Sequence, residues 1–173
     1  MKKHSGMRPH DIVVLLKIAC MPNDSWRMKD LANELFISAS EISESINRSF
    51  VAGLISVDKK TLNKLSILDF LEHGLKYVFP QQPGPIVRGI PTAHSAEPLS
   101  KFIKSNEIYV WPFGNGNVRG QGVEPLYAKL PEAVLLDSKL YALTALIDGV
   151  RLGRAREKEI AIKELKEIIL NGK

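Results

Sequence analysis

Apolar residues recur at helical spacing through most of this chain. Leu31, Ala32 and Leu35 lay one stripe along a short helix, and Phe36-Ile37 then break the period. A second helix opens at Ser38, which can cap the free N–H groups of the first turn. Glu41, three residues on, can reach back to the Ser38 N–H and complete a capping box. Ile42, Ile46 and Gly53 fall on one side of that helix, with Phe50 at its edge. Ser40, Glu44, Asn47 and Val51 fall on the other, because i, i+4 and i+7 share a face. Upstream, Pro9 suits the first turn of a helix in which Ile12, Val13, Leu15, Leu16 and Ala19 read as largely buried. Pro22, Asn23 and Asp24 stop that helix. The leading segment Met1 to Met7 is expected to fray. Downstream, a short charged turn carries Lys59 and Lys60. Asn63 then reads as the cap of a helix with Leu65, Leu68, Leu71 and Leu75 as its stripe, ending by Phe79-Pro80.

The second half is patterned differently. Gln81 to Leu99 is rich in Pro and Gly and has no period. Ordered coil or a strand fragment is expected, because Ile86, Val87 and Ile90 call for burial. Ile108 to Trp111 are β formers, and Asn115-Gly116 can turn the chain back into Val118 to Val123 as a small hairpin. The triplet Val87-Arg88-Gly89 is echoed by Val118-Arg119-Gly120, and the spacing to the following Glu-Pro-Leu differs, which argues against a duplicated unit. From Ser138 the helical period returns in Leu140, Leu143, Ala145 and Ile147. It returns again in Ala161, Ile162, Leu165, Ile168 and Ile169 of the amphipathic segment Arg154 to Leu170. The expected fold class is mainly α, of the α+β kind. The expected segments are 1–80, 81–137 (the hairpin region) and 138–173 (two terminal helices).

Composition narrows the functional classes. Hydrophobic residues make up 45 % of 173, which supports a packed core and argues against wholesale disorder. The single cysteine, Cys20, excludes an internal disulfide and fits a reducing compartment. No apolar run is long enough to span a bilayer, and no signal peptide is read, so a cytoplasmic protein without membrane association is expected. The formal charge of +5 leans toward an acidic partner such as nucleic acid. Catalytic patterns are absent. His4, His10, His73 and His94 are scattered without metal-ligand spacing, and Gly114, Gly116 and Gly120 match neither phosphate-loop pattern. His94, Ser95 and Asp137 form at best a remote hydrolytic set. No metal, cofactor or enzymatic activity is expected.

The residues Leu31, Ala32, Leu35, Ile37, Ser38, Ser40, Ile42, Ser43, Ile46, Gly53, Leu54 and Ile55 carry a resemblance. In that order and spacing they resemble the core of bacterial winged helix-turn-helix regulators of the MarR-like kind, over roughly residues 9–80. The chain departs from that pattern at three places. Phe36 stands where Gly is usual, Ser49 where a core Leu is usual, and Glu44 where Arg is frequent. The resemblance implies an N-terminal winged helix-turn-helix domain with a short wing. Its second helix would enter the major groove, with Ser40, Ser43, Glu44, Asn47 and Arg48 reading base edges. Arg27, Lys29, Ser38, Lys59, Lys60 and Lys64 would hold the DNA backbone. The helix Arg154 to Leu170 would build a homodimer.

The function expected on this basis is sequence-specific binding of double-stranded DNA by a dimeric transcriptional regulator. A protein-interaction module, antitoxin-like or an adaptor subunit, is the alternative, since Glu41 and Glu44 make the second helix less cationic. There Arg88, His94 and Arg119 would face a pocket or a protein partner. A nucleic-acid-processing enzyme comes third.

Overall fold

Pro9 opens the first helix, α1 (Pro9–Cys20), and Asp11 at its third position accepts the Arg8 N–H at 2.8 Å. A computed structural model describes residues 6–21 and 25–172. The expected helix stop at Pro22 to Asp24, and most of the expected frayed leader, lie outside the described residues. Every residue of α1 from Asp11 to Ile18 is buried. A helix buried all round needs cover from several sides, and α1 receives it from helices of both halves of the chain.

Helix α2 (Met28–Leu35) lays Leu31 and Leu35 into the core. It stops at Phe36, whose φ of 54° is left-handed, so the turn takes its positive φ without glycine. Helix α3 (Ala39–Val51) follows, with the Ser38 hydroxyl accepting the Glu41 N–H at 3.2 Å. Beyond α3, Ile55 and Leu62 form one isolated antiparallel bridge. The turn between them is tied by Asp58, which accepts from the N–H groups of Lys60 and Thr61. Next come α4 (Lys64–Asp69), a π turn (Phe70–Gly74) and α5 (Leu75–Val78). Ile67, Leu68, Leu71 and Leu75 are buried, but Leu65 is 74 % exposed, against expectation. Steps of three residues drift backward, so Leu65 lies about 120° round the helix from Leu71, whereas steps of four keep Ile67 and Leu71 aligned.

Three strands follow: β1 (Ile86–Pro91), β2 (Tyr109–Pro112) and β3 (Val118–Gly122). They close into a small ring. β1 runs antiparallel to both others, and β2 and β3 run parallel. The expected β2–β3 hairpin is therefore corrected. A turn does form, with the Gly116 N–H on the Phe113 carbonyl at 2.9 Å, but the antiparallel partner of each strand is β1. Two glycines allow the closure. A Cβ on Gly89 would stand 2.0 Å from the Trp111 carbonyl oxygen, and one on Gly120 would stand 2.5 Å from that of Ile108. Ile86 points outward and is 65 % exposed, contrary to its expected burial, while Ile90 is buried.

The chain ends in α6 (Leu130–Val134), α7 (Ser138–Leu152) and α8 (Ala155–Asn171). Asp137 caps α7 through the Leu140 N–H at 3.0 Å. Ala161, Ile162, Leu165 and Ile169 of α8 are buried within the same chain, where α8 packs on α7, α4 and α1. The stripe expected to seek a second subunit thus has its cover at home. One contiguous apolar core runs from Ile12 to Ile169 through all three expected segments.

Buried charges pin this core. Asp148 accepts from Thr92 Oγ1 at 2.8 Å, Trp111 Nε1 at 2.6 Å and Arg151 Nη1 at 2.8 Å, which joins α7 to the strands. Burial pushes the Asp148 carboxyl above the usual range despite these donors. Lys17 pairs with Glu34 and Asp137. Burial works against its charge, but the hydrogen bonds of Asp137 and Glu34 prevail and raise its pKa. Among the described residues, no helix is long and apolar enough to cross a membrane.

Candidate functional site

The outward face of α3 gathers exposed polar side chains: Ser40, Ser43, Glu44 and Asn47, with apolar Val51 beyond them. The geometry has a local cause. Ile42 and Ile46 are drawn into the core, so positions a half-turn away must face solvent. Ser38 sits at the start of this face and serves the helix itself, capping Glu41 and touching the Ser40 hydroxyl at 3.1 Å. Lys59 reaches the face from the turn after α3. It adopts a left-handed φ of 53°, which brings its Nζ to 3.2 Å from Asn47 Oδ1 and 5.4 Å from the Phe50 ring centroid.

The other expected backbone contacts divide. Lys29 and Lys64 are exposed. Arg27 is exposed and pairs with Asp30 at 3.0 Å, one turn along α2. Lys60 turns inward: its Nζ donates to the Trp26 carbonyl at 2.8 Å and lies 4.2 Å from the Trp26 ring centroid. Its ammonium anchors the turn.

Arg48 is the larger correction. Its side chain is 5 % exposed, and it donates to Asp11 twice, from Nε at 2.8 Å and from Nη2 at 2.7 Å. Nη2 also donates to Glu41 Oε1 at 2.6 Å. These bonds hold the guanidinium inside the α1–α3 interface, where no base edge can reach it. The Asp11 hydrogen bonds outweigh burial and push the Arg48 pKa up. Glu41 is corrected with it. Its backbone completes the Ser38 cap, but its carboxylate faces Arg48, His10 and Arg8, so only half of the expected capping box forms. Burial acts to raise the Glu41 pKa, but the hydrogen bonds from Arg48 and His10 hold it below the usual range.

His10, Asp11 and Glu41 bring ligand atoms within 4.8 Å of one another. Arg48 Nη2 already lies 2.7 Å from Asp11, 2.6 Å from Glu41 and 3.2 Å from His10. The protein supplies its own cation there, so the trio serves as a clamp. The sequence signal for this clamp was a lone aspartate, Asp11, opening an otherwise apolar run. Behind it Ser45 and Ser49 are buried, with hydroxyls that have no hydrogen-bond partner among the described residues. Phe50 packs half-buried against the core.

In the C-terminal half the structure brings Arg88 and Arg119 together and sets His94 apart. Arg88 and Arg119 are direct cross-strand partners. His94 is buried, donates from Nε2 to the Glu107 carbonyl at 2.9 Å and packs on Tyr109 at 4.5 Å between ring centroids. It borders an open groove of about 520 Å³ with Ser95, Ser100 and Lys104. Ser95 accepts from the Tyr109 N–H, and Asp137 is engaged by Lys17 and the α7 cap. The remote hydrolytic set therefore has each member committed elsewhere. Comparison with protein-family models, curated proteins and solved structures found no match to this chain.

Proposed function

We propose that the protein binds double-stranded DNA sequence-specifically through the outward face of α3 and acts as a transcriptional regulator. In this proposal α2 and α3 form a helix-turn-helix, and the Ile55–Leu62 bridge is the stub of a wing. The observation that carries it is the exposed row Ser40, Ser43 and Asn47 with Lys59 beside Asn47. Hydroxyl and amide groups of that kind read base edges in the major groove, and a neighbouring lysine holds phosphate. The clamp strengthens the proposal, because Arg48, His10 and Arg8 absorb the charge of Glu41. Glu44 stays on the face, where it can accept from cytosine N4.

The test is selection of sites from a random duplex pool, followed by fluorescence anisotropy at several salt concentrations. Asn47→Ala should cost roughly 1–3 kcal/mol on the selected site and little on random DNA. Lys59→Ala should weaken all sequences alike and flatten the salt slope by about one contact. Absence of any enriched site, or equal losses on both DNAs for Asn47→Ala, refutes the proposal. With the α8 stripe buried at home, the selected site also reports assembly. An inverted repeat with half-sites about one duplex turn apart marks a dimer, and a single half-site marks a monomer.

Protein binding is the alternative, favoured by two apolar side chains near the same face: Val51, 56 % exposed, and Val57, 84 % exposed. Glu44→Ala separates the two. It should raise non-specific DNA affinity if α3 lies in the groove, and leave DNA untouched while disrupting a complex if α3 binds protein.

A further inference from the structure

The sequence echo Val-Arg-Gly has a structural meaning. Val87-Arg88-Gly89 on β1 pairs antiparallel with Val118-Arg119-Gly120 on β3, with Arg88 directly opposite Arg119. Both arginines are exposed, and both paired glycines are buried. Alternation along the strands places Gln121 on the same outward side as Arg119, and Ile86 on that of Arg88. That side of β1 and β3 carries two cations and one amide, and neither strand contains a carboxylate. Neither guanidinium makes a hydrogen bond or ion pair with any described residue, although the Arg88 carbonyl accepts the Phe113 N–H at 3.1 Å.

Like charges directly opposite one another on antiparallel strands are destabilising, with Cβ atoms only about 4.5–5.5 Å apart. Gly89 lies against the Trp111 carbonyl and Gly120 against that of Ile108, so closely that neither position has room for a Cβ. The strand pairing therefore sets two arginine side chains on one face from directly opposite positions, and no described carboxylate pairs with either. Planar guanidinium forks bind phosphate through paired N–H···O bonds, and two of them on one face suit one phosphate group. We propose that Arg88 and Arg119 form a phosphate-binding site, with Gln121 as a flanking donor. The site is independent of α3 and of its DNA reading.

The experiment titrates the full chain with inorganic phosphate, against sodium chloride of equal ionic strength. Arginine Nε–H and backbone amide shifts are followed by NMR, and the melting temperature is followed in parallel. Saturable shifts at Arg88, Arg119, Gly89 and Gly120 are expected, with a rise in melting temperature that chloride does not give. Arg88→Gln and Arg119→Gln should each weaken phosphate binding by about tenfold or more, and the double variant should abolish it. Each variant should melt no lower than wild type in chloride, because the repulsion is gone. A second arm measures the salt dependence of duplex DNA binding. If the phosphate belongs to a DNA backbone, each single variant lowers the slope by about one contact. If it belongs to a small molecule, the slope stays and only the phosphate titration is lost. The proposal is overturned if the phosphate shifts do not saturate, or are the same in the double variant, and the DNA slope is also unchanged.

Discussion

Arg48→Met tests the clamp that fixes α3 on α1. The wild-type guanidinium makes two bonds to Asp11, at 2.7 and 2.8 Å, and one to Glu41 at 2.6 Å. Methionine keeps the length of the side chain but leaves the fully buried Asp11 carboxylate with the Arg8 N–H as its remaining strong donor. Removing one partner of a buried ion pair costs about 3–5 kcal/mol, because the other charge is stranded. For a chain of this size that amounts to a melting temperature lower by roughly 6–20 °C. Urea denaturation followed by circular dichroism gives the free energy directly. The double variant Asp11→Leu with Arg48→Met removes the stranded charge. It should lose less than Arg48→Met alone, even after the lost α1 cap costs about 1 kcal/mol. A loss under about 1 kcal/mol for Arg48→Met would refute the clamp. Retained stability together with lost DNA discrimination would return Arg48 to the groove.

Glu41→Gln should flatten the acid limb of the stability curve. The folded pKa of Glu41 lies below its unfolded value of about 4.5, so its contribution is full above that pH and is lost as pH falls through the folded pKa. Its carboxylate is 29 % exposed, so the loss at pH 7 should stay near 1 kcal/mol, and an unchanged limb between pH 3 and 5 counts against this. Phe36→Gly should stabilise by up to about 1 kcal/mol, since a left-handed L-residue costs about 1–2 kcal/mol and glycine loses 0.5–1 kcal/mol of that in chain entropy. A lower melting temperature would show instead that the half-exposed ring supports the turn. Gly89→Ala should cost about 3 kcal/mol or more, because its Cβ would meet backbone that cannot move aside. Near-wild-type urea unfolding would mean the strand ring opens readily.

The parts of the fold legible in the sequence are those whose information is local. Leu31 and Leu35, Ile42 and Ile46, and Leu140 and Leu143 declare their helices within one or two turns, and all are buried as their spacing requires. The Ser38 hydroxyl declares its cap in the same way. Arg48 was not legible, because its fate depends on Asp11, 37 residues away on another helix. On the α3 wheel it stands beside the apolar side, where a long polar residue can fold outward or inward, and only a buried carboxylate decides. The strands failed for a similar reason. Asn115-Gly116 is a real turn signal, but it does not say that Ile86 to Pro91 will be the antiparallel partner of both neighbours. Gly89 and Gly120 are the trace of that closure, yet a glycine looks the same whether it serves a turn or lets two backbones touch. Leu65 shows the converse error, in which an apolar residue in a periodic run is counted inward although its angle points out, and Ile86 is counted inward on its apolar character alone.

The burial of α1 from Asp11 to Ile18 has a consequence for how the protein can be dissected. Lys17 finds one of its two counter-charges at Asp137, and the Leu35 carbonyl at the end of α2 accepts the Tyr127 hydroxyl at 2.9 Å. A fragment ending near residue 80 would keep α3 and its polar row but strip α7 and α8 from α1. Valines, leucines and isoleucines would then meet water along a whole side of that helix, and Lys17 would lose half of its pairing. Such a fragment is therefore expected not to fold on its own. A failure to bind DNA in its hands would measure the missing half of the core and say nothing of α3.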